Sequence, residues 1–286
     1  MAAGVYAAVT LPTGLPSCPA LRPYSPQVLV TIGVVALLGL AVGWFLNVVI
    51  WRAPRGESVV RPPSACPTCQ TPIRPRDYIP VAGWLLLKGR CRHCAEPISR
   101  RYPLVELGTA ALFAMLRLRF GFDAVLPAYL YLGAVGVALA VIDIDLKRLP
   151  DALTLPSYPV GAVLLGVAAL VNQDGHSFIR ALLCAVIAGG FYFTLWFAYP
   201  QGMGFGDVKL SGVLGAYLGW LGYGELAVGL FLGFLFGGVF GLGLVLFRDG
   251  GRKTKVPFGP FMLLGALTSI LIGRQLVDGY LSLSGA

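Results

Sequence analysis

Eight apolar runs dominate the chain, near 28–50, 103–120, 124–142, 152–171, 178–199, 208–222, 225–247 and 257–273. A helix of about 20 apolar residues crosses the ~30 Å hydrocarbon core of a bilayer. Lipid offers no partners for backbone N–H and C=O groups, so such runs satisfy themselves as helices. Composition agrees: 57% of residues are hydrophobic and 12% are charged, where a soluble domain carries about a quarter charged. The 38 glycines suit helices that approach one another closely in lipid. The expected fold is an all-α polytopic membrane protein with about eight transmembrane helices. The second run holds Glu106 and Arg117 and the sixth is short, so these two depart most from the pattern.

The net charge is +9, but the basic residues lie between apolar runs. A nucleic-acid reader would group them on a soluble face with aromatic or polar side chains, so no nucleic acid is expected as a partner. Ten Lys and Arg fall in residues 51–101, and Lys147, Arg148, Lys209, Arg248, Arg252, Lys253 and Lys255 follow near alternate loops. The positive-inside rule places these segments in the cytoplasm and both termini on the other side. Arg117 and Arg119 run against the rule in a short outer turn. Residues 1–26 contain Arg22 as their one charged side chain. They lack the basic start and apolar stretch of a cleavable signal and read as a poorly ordered lead-in. The expected organisation is a lead-in and first span over 1–50, a cytoplasmic loop over 51–101 and a helix bundle over 102–286.

That loop carries Cys66-Pro-Thr-Cys69 and Cys91-Arg-His-Cys94, two CxxC units 21 residues apart. Each such turn aims two sulfurs at one point, and two turns supply a tetrahedral zinc site. Cytosolic thiols stay reduced, which favours metal over disulfides. Four thiolates leave no open position, so the zinc is expected to be structural. His93 is expected to point elsewhere, and Cys18 and Cys184 read as inert apolar residues.

Two acidic groups follow apolar spans. Asp143, Asp145 and Asp151 lie in Val141-Ile-Asp-Ile-Asp-Leu-Lys-Arg-Leu-Pro-Asp151, and Asp207 lies in Gly202-Met-Gly-Phe-Gly-Asp207. Charges at span ends are costly and usually functional. Two carboxyls that meet can share one proton, one as acid and one as base, and so activate water without a metal. Gly204 and Gly206 would allow close backbone approach and unusual dihedrals beside Asp207. Blander roles remain open at this point. Asp151 follows Pro150 and could start the fourth helix, Asp145 could pair with Lys147 or Arg148, and intramembrane acids also serve proton relays in transporters. A scaffold that uses the zinc loop to hold a partner is a third reading.

Several motifs in order resemble the type IV prepilin peptidase family, the bifunctional leader peptidase and N-methyltransferase of type IV pilus and type II secretion systems. They are Gly43–Arg52, Gly89–Cys94 with the paired CxxC units, Ile98–Glu106, Asp143–Asp151, Gly204–Asp207 and Val256–Pro260. The resemblance runs from about residue 40 to 265. It implies an aspartyl protease core within 102–286, with Asp143 and Asp207 as the catalytic pair. Asp145, Asp151, Gly204 and Gly206 are expected to support the substrate site. It also implies prepilin or pseudopilin precursors as partners, S-adenosylmethionine as methyl donor, and the bacterial inner membrane with the active site facing the cytoplasm. No segment reads as a soluble Rossmann-type methyltransferase.

Overall fold

The computed structural model describes residues 25–247 and 257–284. Residues 1–24 of the expected lead-in, Cys18 among them, and the basic residues of 248–256 lie outside them. The described residues form ten α-helices in order: α1 (Pro26–Arg52), α2 (Ala82–Leu86), α3 (Arg101–Phe120), α4 (Leu126–Leu146), α5 (Asp151–Thr154), α6 (Ser157–Asn172), α7 (Gly175–Ala198), α8 (Phe205–Leu221), α9 (Tyr223–Phe247) and α10 (Gly259–Ser284). Among the described residues the β pairing consists of two isolated bridges in the cysteine-bearing loop.

Local chemistry sets the helix ends. Pro26 opens α1 directly after Ser25, where its fixed φ suits a helix and its missing N–H costs nothing. Lys147 closes α4 in the left-handed region, with φ 51°, and its N–H bonds to the carbonyl of Asp143 at 2.8 Å. Orphan carbonyls at helix ends are commonly satisfied this way.

Small residues at helical spacing drive the packing. On α1, a Cβ added at Gly39 or Gly43 would lie 2.7 Å from the Cα of Ala110 or Glu106 on α3. On α8, one at Gly215 or Gly219 would meet the Cys184 carbonyl at 2.5 Å or its Cβ at 2.2 Å on α7. On α10, one at Gly265 would meet the Gly233 nitrogen of α9 at 2.4 Å. Small residues one turn apart let backbones close in lipid, where apolar side chains gain little from one another. Each of the three pairs runs antiparallel.

Among the described residues, six helical segments are long and apolar enough to cross a membrane: α1 with its following turn, α4, α5 with α6, α7, α9 and α10. The expected eight therefore becomes six by that measure. The two that fall short are α3 and α8. α3 carries Arg101, Glu106, Arg117 and Arg119, and α8 has 17 residues, about 25 Å of rise. Twelve of the α8 residues are buried, because α7 and α9 flank it inside the bundle. Arg117 and Arg119, which opposed the charge rule, are used in packing. Arg117 is buried, donates to Thr31 Oγ1 at 3.1 Å and lies 3.9 Å over the Phe122 ring. Arg119 donates to the Ile270 carbonyl at 3.0 Å.

Candidate active site

One end of the bundle collects Asp143, Asp145, Asp151 and Asp207. Asp143 sits in the last turn of α4 and is 4% exposed, and its Oδ2 accepts the Gly259 N–H at 3.0 Å. Asp207 sits in the first turn of α8 and is 7% exposed, and its Oδ2 accepts the Gly204 N–H at 3.1 Å. A carboxylate reaching back from the third helical position to the N-cap is one half of a capping box. The helix N-terminus also favours negative charge there. Gly206, next to Asp207, and Gly259, which holds Asp143, both lie against Leu149, so the two acids share one end of the bundle although 64 residues separate them in the chain.

Glycines make that approach possible by their size. A Cβ on Gly259 would lie 2.8 Å from Asp143 Oδ2 and 3.3 Å from Leu149 Cδ2, and one on Gly206 would lie 3.0 Å from Leu149 Cβ. Leu149 therefore fills the space between two glycines, each placed beside one aspartate. The expectation of unusual dihedrals is corrected. Gly204 is extended at φ −74° and ψ 145°, and the left-handed glycines among the described residues are Gly56, Gly89 and Gly121.

The other two aspartates stand outside this pair. Asp145 pairs with Arg101 at the start of α3, not with Lys147 or Arg148 as expected. Arg148 instead donates to the Pro54 carbonyl at 2.5 Å, and Lys147 takes the left-handed cap. Asp151 is the first residue of α5, in line with the helix-start reading. The Lys209 ammonium reaches both of its oxygens, at 2.7 and 2.8 Å. Lys209 follows Asp207 by two residues, so this ion pair ties the start of α5 to the start of α8.

The four loop cysteines converge. The Sγ atoms of Cys66, Cys69, Cys91 and Cys94 lie within 4.8 Å of one another. Cys66 to Cys94 is 3.7 Å and Cys69 to Cys91 is 4.0 Å. Zn–S bonds of about 2.3 Å place tetrahedral sulfurs about 3.8 Å apart, so the set fits such an ion. Two matching turns build it. In the first, Cys66 N–H bonds to Thr71 O at 3.0 Å and Gln70 N–H to Cys66 O at 2.9 Å. In the second, Cys91 N–H bonds to Glu96 O at 2.8 Å and Ala95 N–H to Cys91 O at 3.0 Å. Gln70 and Ala95 both take positive φ, at 55° and 58°. This internal duplication went unread in the sequence, although Pro72 and Pro97 stand at matching offsets.

Electrostatics also call for a cation. The Thr71 hydroxyl and backbone lower the Cys69 thiol to about 6, and the Cys94 and His93 backbone lowers Cys91. The Glu96 backbone favours the Cys94 thiolate, but desolvation and the three neighbouring thiols outweigh it and push Cys94 up to about 12. Four thiolates cannot share this space without positive charge between them. His93 is exposed and stands outside the cluster. Cys184 is buried in the helix core.

The sequence reading missed two supports. The buried Glu106 accepts the Val81 N–H at 2.6 Å, which docks the cysteine-bearing loop onto α3. Arg92, inside the second knuckle, clasps Asp77 through two bonds of 2.6 and 3.0 Å and holds that carboxyl below the usual carboxylate range. An acid alone in an apolar run was the signal available for Glu106. Arg92 carried none.

Comparison with known proteins gives the family. Residues 37–120 match a family described as the bacterial peptidase A24 N-terminal domain, and residues 130–242 match the type IV leader peptidase family. The chain is 38% identical over 280 residues to a prepilin leader peptidase/N-methyltransferase of Aeromonas hydrophila, covering 87% of this chain and 93% of that protein. It is 35% identical over 282 residues to a protein of the same name from Pseudomonas aeruginosa, with the same coverage of each. A Neisseria gonorrhoeae protein of that name is 36% identical over 235 residues, 71% of this chain and 78% of its own. No solved structure matches the chain. With both halves matched, and relatives aligned along nearly their whole length, this polytopic membrane protein belongs to the type IV leader peptidase family.

Proposed function

We propose that this protein removes the short basic leader of type IV prepilin-like precursors, with Asp143 and Asp207 as its catalytic pair. The observation that supports this reading is that two buried carboxyls from distant helices stand at one end of the bundle, with Gly206 and Gly259 beside them both against Leu149. Each holds a single backbone N–H and keeps lone pairs for water and substrate. One carboxyl is protonated and the other ionised, because like charges at close range do not both ionise easily. The ionised carboxyl takes a proton from a water held between them as its oxygen attacks the scissile carbonyl. The protonated carboxyl supports the developing oxyanion. Collapse breaks the C–N bond, and the proton taken from water passes to the departing amine.

The same end carries Arg52, Arg55, Arg100, Arg101 and Arg148. Under the positive-inside rule this end faces the cytoplasm of the bacterial inner membrane. α3 and α8 then count as spans seven and eight, with α8 sheltered by its neighbours. Residues 51–101 form a module in which Cys66, Cys69, Cys91 and Cys94 hold a structural zinc, which supplies folding energy and no reactive position. N-methylation of the new N-terminus follows from the relatives' names, with S-adenosylmethionine as methyl donor. No residue described here is assigned to that donor.

Mass spectrometry of a pilin-like precursor co-expressed with this protein tests the reading, because it reports cleavage position and methylation together. The expected product lacks the leader and is unchanged by chelators that leave the zinc module folded. Normal cleavage by a folded, membrane-inserted Asp207→Asn variant would overturn the dyad. Proton flux from reconstituted protein that never cleaves a precursor would favour a transporter.

A further inference from the structure

The middle of the cysteine-bearing loop does not stand clear of the bundle. Val81 N–H reaches Glu106 Oε2 at 2.6 Å, and Glu106 lies five residues into α3, roughly 7 Å below its first residue. The Tyr78 ring meets Trp44 of α1 edge-on, with centroids 5.5 Å apart. Trp44 in turn lies eight residues before the end of α1. Residues 78–81 thus run beside α1 and α3 at the level of their spanning residues, and α2 follows at once. α2 is held there by Trp84, whose indole N–H donates to the Ile98 carbonyl at 3.1 Å.

This segment turns large apolar side chains outward. Leu85 is 60% exposed, Leu86 76% and Ile79 52%. At the same level α3 exposes Leu104 and Leu107, as a helix facing lipid does. Exposed cations flank the apolar tip: Arg74 and Arg76 before it, Lys88 and Arg90 after it. The one acid between Arg74 and Arg90, Asp77, is neutralised by Arg92. An apolar tip with a cationic rim is the pattern of an interfacial element that dips about 5–10 Å into the headgroup boundary and prefers anionic lipid.

We infer that Ile79–Arg90 is a membrane-interface anchor, with Leu85 and Leu86 inserted among acyl chains and Lys88 and Arg90 on anionic lipid headgroups. The zinc-binding module would then be fixed at the bilayer surface beside the aspartate pair. The inference needs only α1 and α3 placed as membrane helices, so it stands or falls apart from the cleavage chemistry.

The full-length protein in nanodiscs of mixed phosphatidylcholine and phosphatidylglycerol, carrying diazirine acyl chains, gives a direct test. Cross-links mapped by mass spectrometry should reach Leu85 and Leu86 as well as Leu104 and Leu107. Phosphatidylglycerol should be enriched among the lipids attached to 79–90. That enrichment should fall about fivefold for each charge removed in Lys88→Gln and Arg90→Gln, at roughly 1 kcal/mol per basic residue near the surface. Cross-links on Leu104 and Leu107 with none on Leu85 or Leu86 would overturn the anchor. Unchanged enrichment in both charge variants would overturn anionic lipid as its partner. Exclusion of lipid from 79–90 that appears only when a pilin-like precursor is added would assign the surface to that protein instead.

Discussion

The cysteine cluster and the aspartate pair teach opposite lessons about how a chain builds a site. The four thiols come from two copies of one turn, and Cys66 and Cys94 stand 28 residues apart. Each copy shapes itself through its own backbone bonds, so the site needs little beyond local chain. The two aspartates come from α4 and α8 and are brought to one end of the bundle through three other positions, Leu149, Gly206 and Gly259. The first site is closed, with each sulfur aimed inward. The second leaves its carboxyls with free lone pairs. A cluster fit for a metal can be local and complete, whereas the open carboxyls need helices from distant parts of the chain.

The sharpest way to break this comparison is to remove one aspartate. Asp143→Asn and Asp207→Asn should each lower cleavage by about a thousandfold or more, and the double variant should be no worse, because either loss destroys one unit. Mass spectrometry of the processed precursor measures this. Wild-type cleavage should follow a bell-shaped pH profile. Falling pH protonates the carboxyl that serves as base, and rising pH ionises the one that serves as acid. Both limbs belong to the pair. A profile with one limb would mean that a single carboxyl does the work.

The next largest effect should come from space. Gly259→Ala puts a methyl 2.8 Å from Asp143 Oδ2 and should cost about 10- to 100-fold in cleavage, as small misplacements of catalytic groups do. Gly206→Ala presses on Leu149, a side chain that can give way, and should cost less. Thermal stability of the purified variants separates misplacement from unfolding. Wild-type rates in Gly259→Ala would show that this contact does not position the carboxyl.

The thiol site should respond in another currency. Cys66→Ser or Cys91→Ser should lose metal and open residues 58–98 to protease, since zinc binding supplies on the order of 10 kcal/mol of folding energy in such modules. Cleavage should fall far less than in the aspartate variants. Metal analysis with limited proteolysis checks this, and a metal-free wild type with protease resistance equal to that of the variants would remove zinc from the account.

The smallest effect belongs to the outer acids. Asp145→Asn and Asp151→Asn break exposed ion pairs with Arg101 and Lys209, worth about 0–1 kcal/mol each. Cleavage should persist within a few-fold, and the difference should shrink at high salt. If Asp145→Asn matched Asp207→Asn in severity while Asp143→Asn stayed active, Asp145 would have to replace Asp143 in the pair.

Much of this was legible in the sequence because it follows from local rules. Apolar run length announced the membrane helices, and doubled CxxC spacing announced the thiol cluster. α8 is the telling exception. At 17 residues it is short for a bilayer, yet it forms the buried centre, since α7 and α9 cover its flanks. Length and hydropathy describe a helix facing lipid and say nothing of one shielded by its neighbours.

By itself the sequence determined the helical membrane class, the knuckle turns and the acidic candidates, since each depends on residues close together along the chain. Tertiary structure alone decided that Arg101 takes Asp145 and Lys209 takes Asp151, and that Gly259 and Gly204 hold the buried pair. It also decided that Glu106 draws the cysteine-bearing loop down beside α1 and α3. Those choices depend on which helix faces meet. Such meetings rest on close steric fit between glycines and backbones tens of residues apart, and no spacing along the chain records it.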